Sequence, residues 1–451
     1  MATKKDGDSG DAKVDKARSS KAVPTGRASR FARVAKLASG VAGGMLAEGT
    51  RQLRAGKRLR ARDLLLTPGN AKRVTDQLAD MRGAAMKLGQ ILSMDTGDLL
   101  PKELTDILAR LRSDARTMPI KQLRASLVQA YGEDWEEMFY GFDVNPIAAA
   151  SIGQVHRTTS PDGSDIVLKV QYPGVADSID NDVDNISTVL RISGLIPKGI
   201  DLAPLLNDAK LQLKDEADYL KEAEYLKIFA EFLTDDKRFV VPRLLPELTH
   251  RNVLAMSYES GQPIESLADQ SQEERDRVMS ALLDLMLTEL FELRMVQTDP
   301  NFANYQYRAS TGEVVLLDFG ATRKFKAQFV KDYTSLAKAA ISENRDRLAK
   351  AADKLGYSMG DEDSDYRELV LDLFMIALEP LRFDGEYDFG NSDMPARLSK
   401  LGESITDYRD FWRAPPIEAV YFHRKVGGMF MLASRLQARV NVRELMLKHL
   451  G

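Results

Sequence analysis

The chain has 451 residues, of which 44% are hydrophobic and 29% charged, so most of it should be globular and divide into two or three structural units. It contains no cysteine, which excludes a disulfide framework, thiolate catalysis and zinc sites built on cysteine. The four histidines are far apart in the sequence, so a histidine metal site is not expected either.

The net charge of −4 conceals an asymmetry between the amino-terminal arm and the rest of the chain. Residues 1–73 contain 18 Lys and Arg against 6 Asp and Glu, whereas the remainder contains 45 basic and 61 acidic residues. A basic arm on an acidic body suggests contact with a polyanion, either an anionic membrane surface or nucleic acid. Because Phe31 is the only aromatic residue in the arm, base stacking has little support and we predict no nucleic-acid partner. A solvated basic tail is the alternative.

The arm is predicted to have two parts. Residues 1–28 are polar and poor in large apolar side chains, so we expect a disordered tail. Residues 29–118 are predicted to form a helical extension. Its first helix, Ser29–Gly56, combines basic residues with a small apolar face, so it either lies on a membrane or packs on the body. Its longest apolar stretch, Ala38–Ala47, is far shorter than the roughly 20 residues that cross a bilayer.

The character of the sequence changes after Pro119, where strand patterns appear. The segment "AAASIGQVHRTTSPDGSDIVLKVQY" predicts strands on either side of the turn Pro161–Ser164, in which Pro presets φ and Gly accepts the left-handed conformation. Helices and two further strands follow, and from Pro263 the pattern is mainly helical. We therefore predict a β-containing unit with a helical insertion at 119–258 and a larger helical unit at 259–451.

Two residues in the first unit fit a phosphate-binding site, one as the group that binds phosphate and the other as its partner. Lys169 lies inside the apolar run "VLKV", and a lysine in the middle of a buried strand is costly unless it is paired or binds an anion. The alternative is an edge strand that exposes Lys169. Glu222 lies on a following helix, in "DEADYLKEAEYL", and is a candidate partner, although any single acid there could instead face solvent.

Three residues in the second unit fit the chemistry of phosphoryl transfer. Asp299 and Asn304 have the Asp-to-Asn spacing of a kinase catalytic loop, without the usual His-Arg before the aspartate. Asp318 begins the tripeptide "DFG" after the strand "VVLL". Oxygen atoms of Asn304 and Asp318 would suit magnesium, and Asp299 would be the acid near the acceptor. The tripeptide alone is weak evidence, but the combination is much stronger.

These segments together resemble the UbiB-like atypical kinase family, also called the aarF-domain kinases. The resemblance runs from about Arg30 to the carboxyl terminus. Its motifs are "KLGQ" (87–90), "AAASIGQVH" (148–156), "EAD" (216–218), "QTDPNFANY" (297–305) and "LDFGATR" (317–323). The amino-acid sequences of the last two motifs, together with "YFHRKVGG" (421–428), are most similar to those of the branch that supports coenzyme Q biosynthesis. The resemblance implies an α+β, protein-kinase-like bilobal fold, with a small β-containing lobe, a helical lobe and an added helical extension.

The resemblance also implies roles for individual residues. Lys169 and Glu222 would form the kinase ion pair, Asp299 would be the catalytic acid, and Asn304 and Asp318 would bind Mg²⁺. The residues expected to contact ATP or ADP are Ala148, Ala149, Ala150, Ser151, Lys169, Met256 and Tyr258. The residues expected to regulate access to the site are Lys87, Gln90, Glu216 and Asp218.

The sequence departs from ordinary kinases at places that matter for the acceptor. An alanine-rich segment replaces the glycine-rich loop, so backbone N–H groups have less freedom to approach phosphates. In the family, the segment with Lys87 and Gln90 lies over the active site, which would exclude protein substrates. On one continuous helix Asp218 and Glu222 would share a face and Glu216 would point elsewhere, which conflicts with the role that the resemblance gives Glu216. A helical pattern soon after "DFGATR" leaves no room for a long activation loop.

Our leading hypothesis is an ATP-binding, Mg²⁺-dependent atypical kinase or ATPase that supports isoprenoid quinone (ubiquinone) biosynthesis or lipid handling. It would be cytoplasmic and peripherally associated with the inner face of a membrane. Expected partners are nucleotide, an anionic lipid surface and enzymes or precursors of the quinone pathway, and a dimer is left open. The alternatives are a kinase of a small molecule or lipid, and a scaffold that binds nucleotide without turnover.

The amino-terminal arm provides a first test. Deletion of residues 1–56 should weaken binding to anionic vesicles by tenfold or more, because each basic residue near such a surface contributes about 1 kcal/mol. Co-sedimentation with vesicles measures the affinity, with neutral vesicles and the melting temperature of the truncated chain as controls. Equal binding by the truncated chain would show that the arm does not bind the membrane.

Overall fold

The computed structural model describes residues 118–193, 203–357, 364–404 and 416–450. The predicted tail and the helices of the extension, with Lys87 and Gln90, lie outside these residues. The first described element is the helix α1, Ile120–Tyr131.

Four antiparallel strands form the sheet of the smaller lobe. Their bounds are β1, Ala148–Ala150; β2, Gly153–Thr159; β3, Asp165–Gln171; and β5, Val253–Ser257, in the spatial order β1–β2–β3–β5. The side chains of β3 are buried at every position except Asp165, as its apolar sequence and its place between two other strands require. The edge-strand alternative for Lys169 is therefore wrong.

A helical insertion follows β3. Its helices are α2, Val175–Ser193; α3, Ala203–Glu216; and α4, Tyr219–Phe232. The helical conformation is interrupted between α3 and α4. The Asp218 carboxylate caps α4 by accepting a hydrogen bond from the backbone N–H of Lys221 at 3.2 Å. This break places Glu222 in the first turn of α4.

The two faces of β3 pack on different helices because side chains alternate along a strand. Ile166, Leu168 and Val170 belong to a core with Leu123 and Leu127 of α1. On the opposite face, the core that contains Val167 also includes Leu226 and Phe229 of α4. Lys169 shares this second face, so the period of the strand directs it toward α4.

Short strands connect the two lobes. A mixed sheet has the order β4–β9–β8–β6, with β4, Phe239–Val240; β6, Gln262–Pro263; β8, Tyr305–Arg308; and β9, Glu313–Leu316. Two antiparallel pairs are β7, Met295–Gln297, with β10, Thr322–Lys324, and β11, Tyr387–Asp388, with β12, Arg439–Val440. Strand β4 precedes β5 in the chain but pairs with β9 in parallel, so it belongs to this second sheet.

Helices form the larger lobe. They are α5, Gln272–Thr288; α6, Ala327–Ile341; α7, Arg345–Lys354; α8, Ser364–Ala377; α9, Glu379–Arg382; α10, Met394–Ser404; α11, Ile417–Arg435; and α12, Val442–Leu450. A π-helical turn, Glu289–Leu293, continues α5. The predicted β-containing lobe and larger helical lobe are thus both present. Within the described ranges, no helix has the length and apolar character needed to cross a membrane.

Helix α3 belongs to the insertion but also contacts the larger lobe. Three polar pairs make this connection, and we call them the α3 bridge: Asp208 with Tyr421, Gln212 with Arg424, and Asp215 with Arg323. The Asp208, Gln212 and Arg424 side chains are almost fully buried, so loss of one partner would leave a buried polar group unsatisfied.

Gly153 provides a test of the packing between the sheet and α4. A Cβ atom at this position would collide with the Val170 carbonyl oxygen and lie 2.9 Å from the Tyr219 hydroxyl. Gly153→Ala should therefore lower the free energy of unfolding by about 1–3 kcal/mol, as overpacked sites do. Chemical denaturation measures it. Gly402→Ala on α10 is the matched control, because nothing lies within 4 Å of the added Cβ and helix propensity should rise. A denaturation curve for Gly153→Ala that matches that of the wild type would contradict this packing.

Candidate active site

A buried lysine between two carboxylates forms the centre of the site. The Lys169 Nζ atom lies 2.7 and 3.0 Å from the two oxygens of Glu222 and 3.1 Å from Asp318 Oδ2. The side chain of Lys169 is 9% exposed and that of Glu222 only 2%, whereas Asp318 is 32% exposed. The three residues come from β3, α4 and the segment after β9, so the two lobes meet at this cluster.

Burial and charge act in opposite directions on this cluster. Burial alone disfavours the ammonium form of Lys169, but the nearby carboxylates of Asp318 and Glu222 outweigh it and hold the pKa above its ordinary value. Burial raises the pKa of Glu222, and the positive charge of Lys169 offsets part of this rise. The lysine therefore stays charged and fixed in place, as a group that binds phosphate must be.

The packing of Phe319 and Gly320 orients Asp318. The ring of Phe319 is buried, with its centroid 4.9 Å from that of Phe229 on α4. The backbone N–H of Gly320 donates to Asp318 Oδ1 at 2.9 Å. A Cβ atom on Gly320 would lie 3.3 Å from Glu222 Oε2, so a larger residue would crowd the cluster. The "DFG" tripeptide thus has a separate structural role at each position.

The loop 298–304 lies beside this cluster and is fixed at both ends. At its start, Thr298 donates to the carbonyl oxygen of Ala321 through both its backbone N–H, at 3.2 Å, and its hydroxyl, at 2.8 Å. At its end, the Asn304 carbonyl oxygen accepts the backbone N–H of Leu317 at 3.0 Å. Both contacts join the loop to the segment that carries Asp318. Asp299, Asn304 and Asp318 therefore belong to one connected unit.

The donor atoms of Asn304 and Asp318 fit magnesium. The Asn304 amide nitrogen donates to the Asp299 carbonyl oxygen at 3.4 Å, so the amide oxygen is the atom that can act as a ligand. No group of three or more His, Cys, Asp or Glu residues suited to a metal occurs among the residues described. One amide and one carboxylate still suffice for Mg²⁺ when phosphate oxygens and water complete its coordination.

The alanine-rich segment is a strand and a turn. Ala148 to Ala150 form β1, paired with the residues Gly153 to Val155 of β2, and Ser151 stands in the turn between the strands. Ala148 and Ala149 are exposed. Pairing with β2 holds the backbone of this segment extended.

Met256 and Tyr258, which are also expected to contact nucleotide, differ in their surroundings. Met256 is buried and pairs with Val167 across β3 and β5. Tyr258 follows β5, and its backbone N–H donates to the Asp165 carbonyl oxygen at 3.0 Å, so it is not free to bind a base. Its ring lies under the guanidinium of Arg157 at 3.9 Å. The backbone N–H of Tyr258 is therefore not available to a nucleotide base.

A family model decides the identity of the domain. Residues 110–352 match the model described as the ABC1 atypical kinase-like domain. The chain belongs to the ABC1 atypical kinase family. The similarity of the chain to curated relatives extends well beyond residues 110–352. These relatives confirm the predicted family and the predicted branch.

The relatives of this ABC1 kinase include three atypical kinases whose names mark them as mitochondrial. The chain is 38% identical to coq-8 of Caenorhabditis elegans over 93% of its length, 38% identical to COQ8B of Rattus norvegicus over 94%, and 36% identical to COQ8 of Saccharomyces cerevisiae over 94%. The match spans 56% of the worm protein, 80% of the rat protein and 85% of the yeast protein.

A solved structure supports the fold alone. The chain is similar to the Rv3197–erythromycin complex structure from Mycobacterium tuberculosis, with a TM-score of 0.57 and 23% identity. This similarity covers 82% of the chain and 92% of the solved one. The predicted protein-kinase-like fold is confirmed for the described part of the ABC1 kinase.

The break between α3 and α4 resolves the conflict over Glu216. The spacing argument assumed one continuous helix through residues 216–222, and that assumption is wrong because α3 ends at Glu216. Glu216 is the last residue of α3, and its charge is a minor cause of the raised pKa of Glu222. Asp218 instead caps α4.

Two groups of residues in this ABC1 kinase were missed from the sequence. Asp215, which directly precedes "EAD" (216–218), pairs with Arg323 of "LDFGATR". This pair joins α3 to the segment after Asp318. Lys425 of "YFHRKVGG" is buried and contacts Gln297 and Tyr305, the residues that flank the loop 298–304. A lysine inside an apolar helical run was the available signal for Lys425, as it was for Lys169 in its strand.

The metal assignment can be tested at Asp318. Asp318→Asn removes a carboxylate charge, so the stimulation of nucleotide binding by Mg²⁺ should be lost, with affinity falling tenfold or more. Titration of a fluorescent ATP analogue with and without Mg²⁺ measures this. Affinity without Mg²⁺ should change less, which separates metal binding from misfolding. If the variant keeps wild-type Mg²⁺ dependence, Asp318 is not a metal ligand.

Proposed function

We propose that this chain is an ATP-binding, Mg²⁺-dependent atypical kinase or ATPase that supports ubiquinone biosynthesis at a membrane surface. The observation that carries the proposal is the contact of Lys169 with both Glu222 and Asp318, beside a loop that supplies Asp299 and Asn304. The naming of the relatives as COQ8 atypical kinases supports the assignment to the quinone pathway.

Each polar residue has a distinct role in the proposed reaction. Lys169 holds phosphate oxygens of ATP, and Glu222 keeps the lysine in place. Asp299 lies near the acceptor and receives its proton. Asn304 and Asp318 hold Mg²⁺, which neutralises charge on the phosphates. The alanine-rich hairpin covers the nucleotide, and its extended backbone makes fewer close approaches to phosphate than a glycine-rich loop.

Water, a lipid or a small molecule is a more suitable acceptor than a peptide. Helix α6 begins at Ala327, soon after β10, and β10 pairs with β7. Arg323 within β10 is further held by Asp215 of α3. The segment in which ordinary kinases bind peptides is therefore short and already occupied by contacts within the chain.

The proposed location is the inner face of a membrane, with peripheral attachment. The basic arm of residues 1–73 supports it, because anionic lipids attract clustered Lys and Arg. The proposed partners are nucleotide, anionic lipid, and precursors or enzymes of the quinone pathway. The segment with Lys87 and Gln90 is proposed to cover the site near Glu216 and to exclude protein substrates.

A kinase of a small molecule or lipid is the second candidate. The set of Lys169, Asp299, Asn304 and Asp318 is complete, so transfer to an alcohol needs no further residue type. The two candidates share the same steps at ATP and differ only in the group that accepts phosphate.

The fate of the γ-phosphate separates these functions. We expect that labelled Mg-ATP, incubated with the full chain and anionic vesicles, yields free labelled phosphate, and that vesicles increase its rate. Asp299→Asn should lower the rate by about 100-fold or more, as loss of an acid–base group commonly does. Thin-layer chromatography and gel autoradiography locate the label.

The alternative outcomes are equally distinct. Label on a lipid or metabolite from added extract would identify a kinase and its substrate. Label on an extract protein would contradict the exclusion of peptide substrates. Tight binding of nucleotide without turnover in any mixture would show that the chain acts as a scaffold and would overturn the enzymatic proposal.

A further inference from the structure

A second buried lysine lies behind the loop 298–304. Lys425 on α11 is 3% exposed, and its Nζ atom donates to the Tyr305 phenol oxygen at 2.5 Å and to Gln297 Oε1 at 3.3 Å. Gln297 is the last residue of β7, and Tyr305 is the first residue of β8. One side chain therefore joins the two positions that flank the loop.

Buried charge makes this contact strong. Burial alone lowers the pKa of Lys425, but the Tyr305 oxygen that accepts its hydrogen bond and the Glu289 carboxylate, with a smaller part from Asp299, raise it above its ordinary value. Glu289 is also buried, and its carboxylate accepts the backbone N–H of Gln297 at 3.2 Å. The strand end before Asp299 is thus held by a buried carboxylate as well as by the lysine.

The same face of α11 contacts the loop directly. Gly428 follows Lys425 by one helical turn, so the two residues share a face. A Cβ atom on Gly428 would collide with the side chain of Pro300, the residue after Asp299. The backbone of α11 therefore approaches the loop as closely as a residue without a side chain allows.

We propose that Lys425 and Gly428 are positioning residues for Asp299, and that they replace the support that ordinary kinases place within the chain just before the aspartate. Ordinary catalytic loops carry His-Arg there, whereas this chain has Gln297 and Thr298. The support comes from a distant helix. This inference rests on the proposed role of Asp299 in phosphoryl transfer.

The arrangement predicts a specific defect when the support is removed. Lys425→Met keeps an unbranched side chain of similar size but loses the charge and the donors. Tyr305 and Gln297 would then lose their common partner, and the loop would sample more conformations. Misplacement of Asp299 slows the chemical step. Asn304 moves with the same loop, so the affinity for Mg-ATP falls with it, whereas binding of nucleotide without Mg²⁺ depends on Lys169, which is unchanged.

The first measurement compares kcat with nucleotide affinity for the full chain. Lys425→Met should lower kcat for hydrolysis of saturating Mg-ATP by about tenfold or more, with the Kd for ATP in the absence of Mg²⁺ within about threefold of wild type. In an Asp299→Asn background, Lys425→Met should have little further effect on kcat, because residues that act as a unit are not additive. A residue with only a structural role would lower kcat and the affinity for ATP without Mg²⁺ together and act additively.

The two adjacent glycines of α11 give a matched pair that does not depend on Lys425. Gly428→Ala should displace Pro300 and lower kcat, whereas Gly427→Ala, where nothing lies within 4 Å of the added Cβ, should leave kcat unchanged. Hydrogen exchange provides a readout without turnover. Peptides that cover residues 296–305 should exchange faster in Lys425→Met and Gly428→Ala, and at the wild-type rate in Gly427→Ala.

The outcomes separate this inference from the proposed function. If Asp299→Asn leaves kcat unchanged, the role of Asp299 fails, and the positioning role fails with it. If Asp299→Asn lowers kcat but Lys425→Met and Gly428→Ala do not, only the positioning role is overturned. If Lys425→Met does not fold, the glycine pair decides: equal kcat and equal hydrogen exchange in the two glycine variants would overturn the inference.

Discussion

The ammonium group of Lys169 sets the main constraint on this fold. A charge on the inner face of a central strand is tolerated only where acids meet it with good geometry, because an unpaired buried charge costs several kcal/mol. Two different segments meet this requirement: Glu222 comes from the first turn of α4, and Asp318 from the segment after β9. The start of α4, the break that precedes it and the packing of Phe319 all serve to bring these carboxylates to the lysine.

Local sequence and spacing explain how much of the site could be predicted. Lys169, Asp299, Asn304 and Asp318 lie in short segments whose local sequence and spacing are informative, and the lysine stood out because it interrupts an apolar strand. Glu222 was less certain, since several acids share its segment. The structure brings it to Lys169 because α4 begins at Tyr219.

Other features could not be predicted, for physical reasons. No proline or glycine marks the break at residues 217–218, and only the tertiary fold reveals which of the neighbouring acids, Asp218, is the cap. The pairing of β4 with β9 depends on contacts between residues far apart in the chain. Lys425 lies more than 100 positions from Gln297 and Tyr305, which it contacts at the two ends of the loop, so no spacing rule connects them.

The α3 bridge alters the mechanics of the cleft. In a bilobal enzyme joined by a single linker, one lobe can swing away from the other to exchange nucleotide. Here the helix α3 also contacts the larger lobe, through polar pairs that are largely buried. Wide opening of the cleft between the lobes therefore requires those pairs to separate. Any motion that opens the cleft widely is therefore coupled to detachment of α3, and a ligand that prefers detached α3 also favours the open cleft.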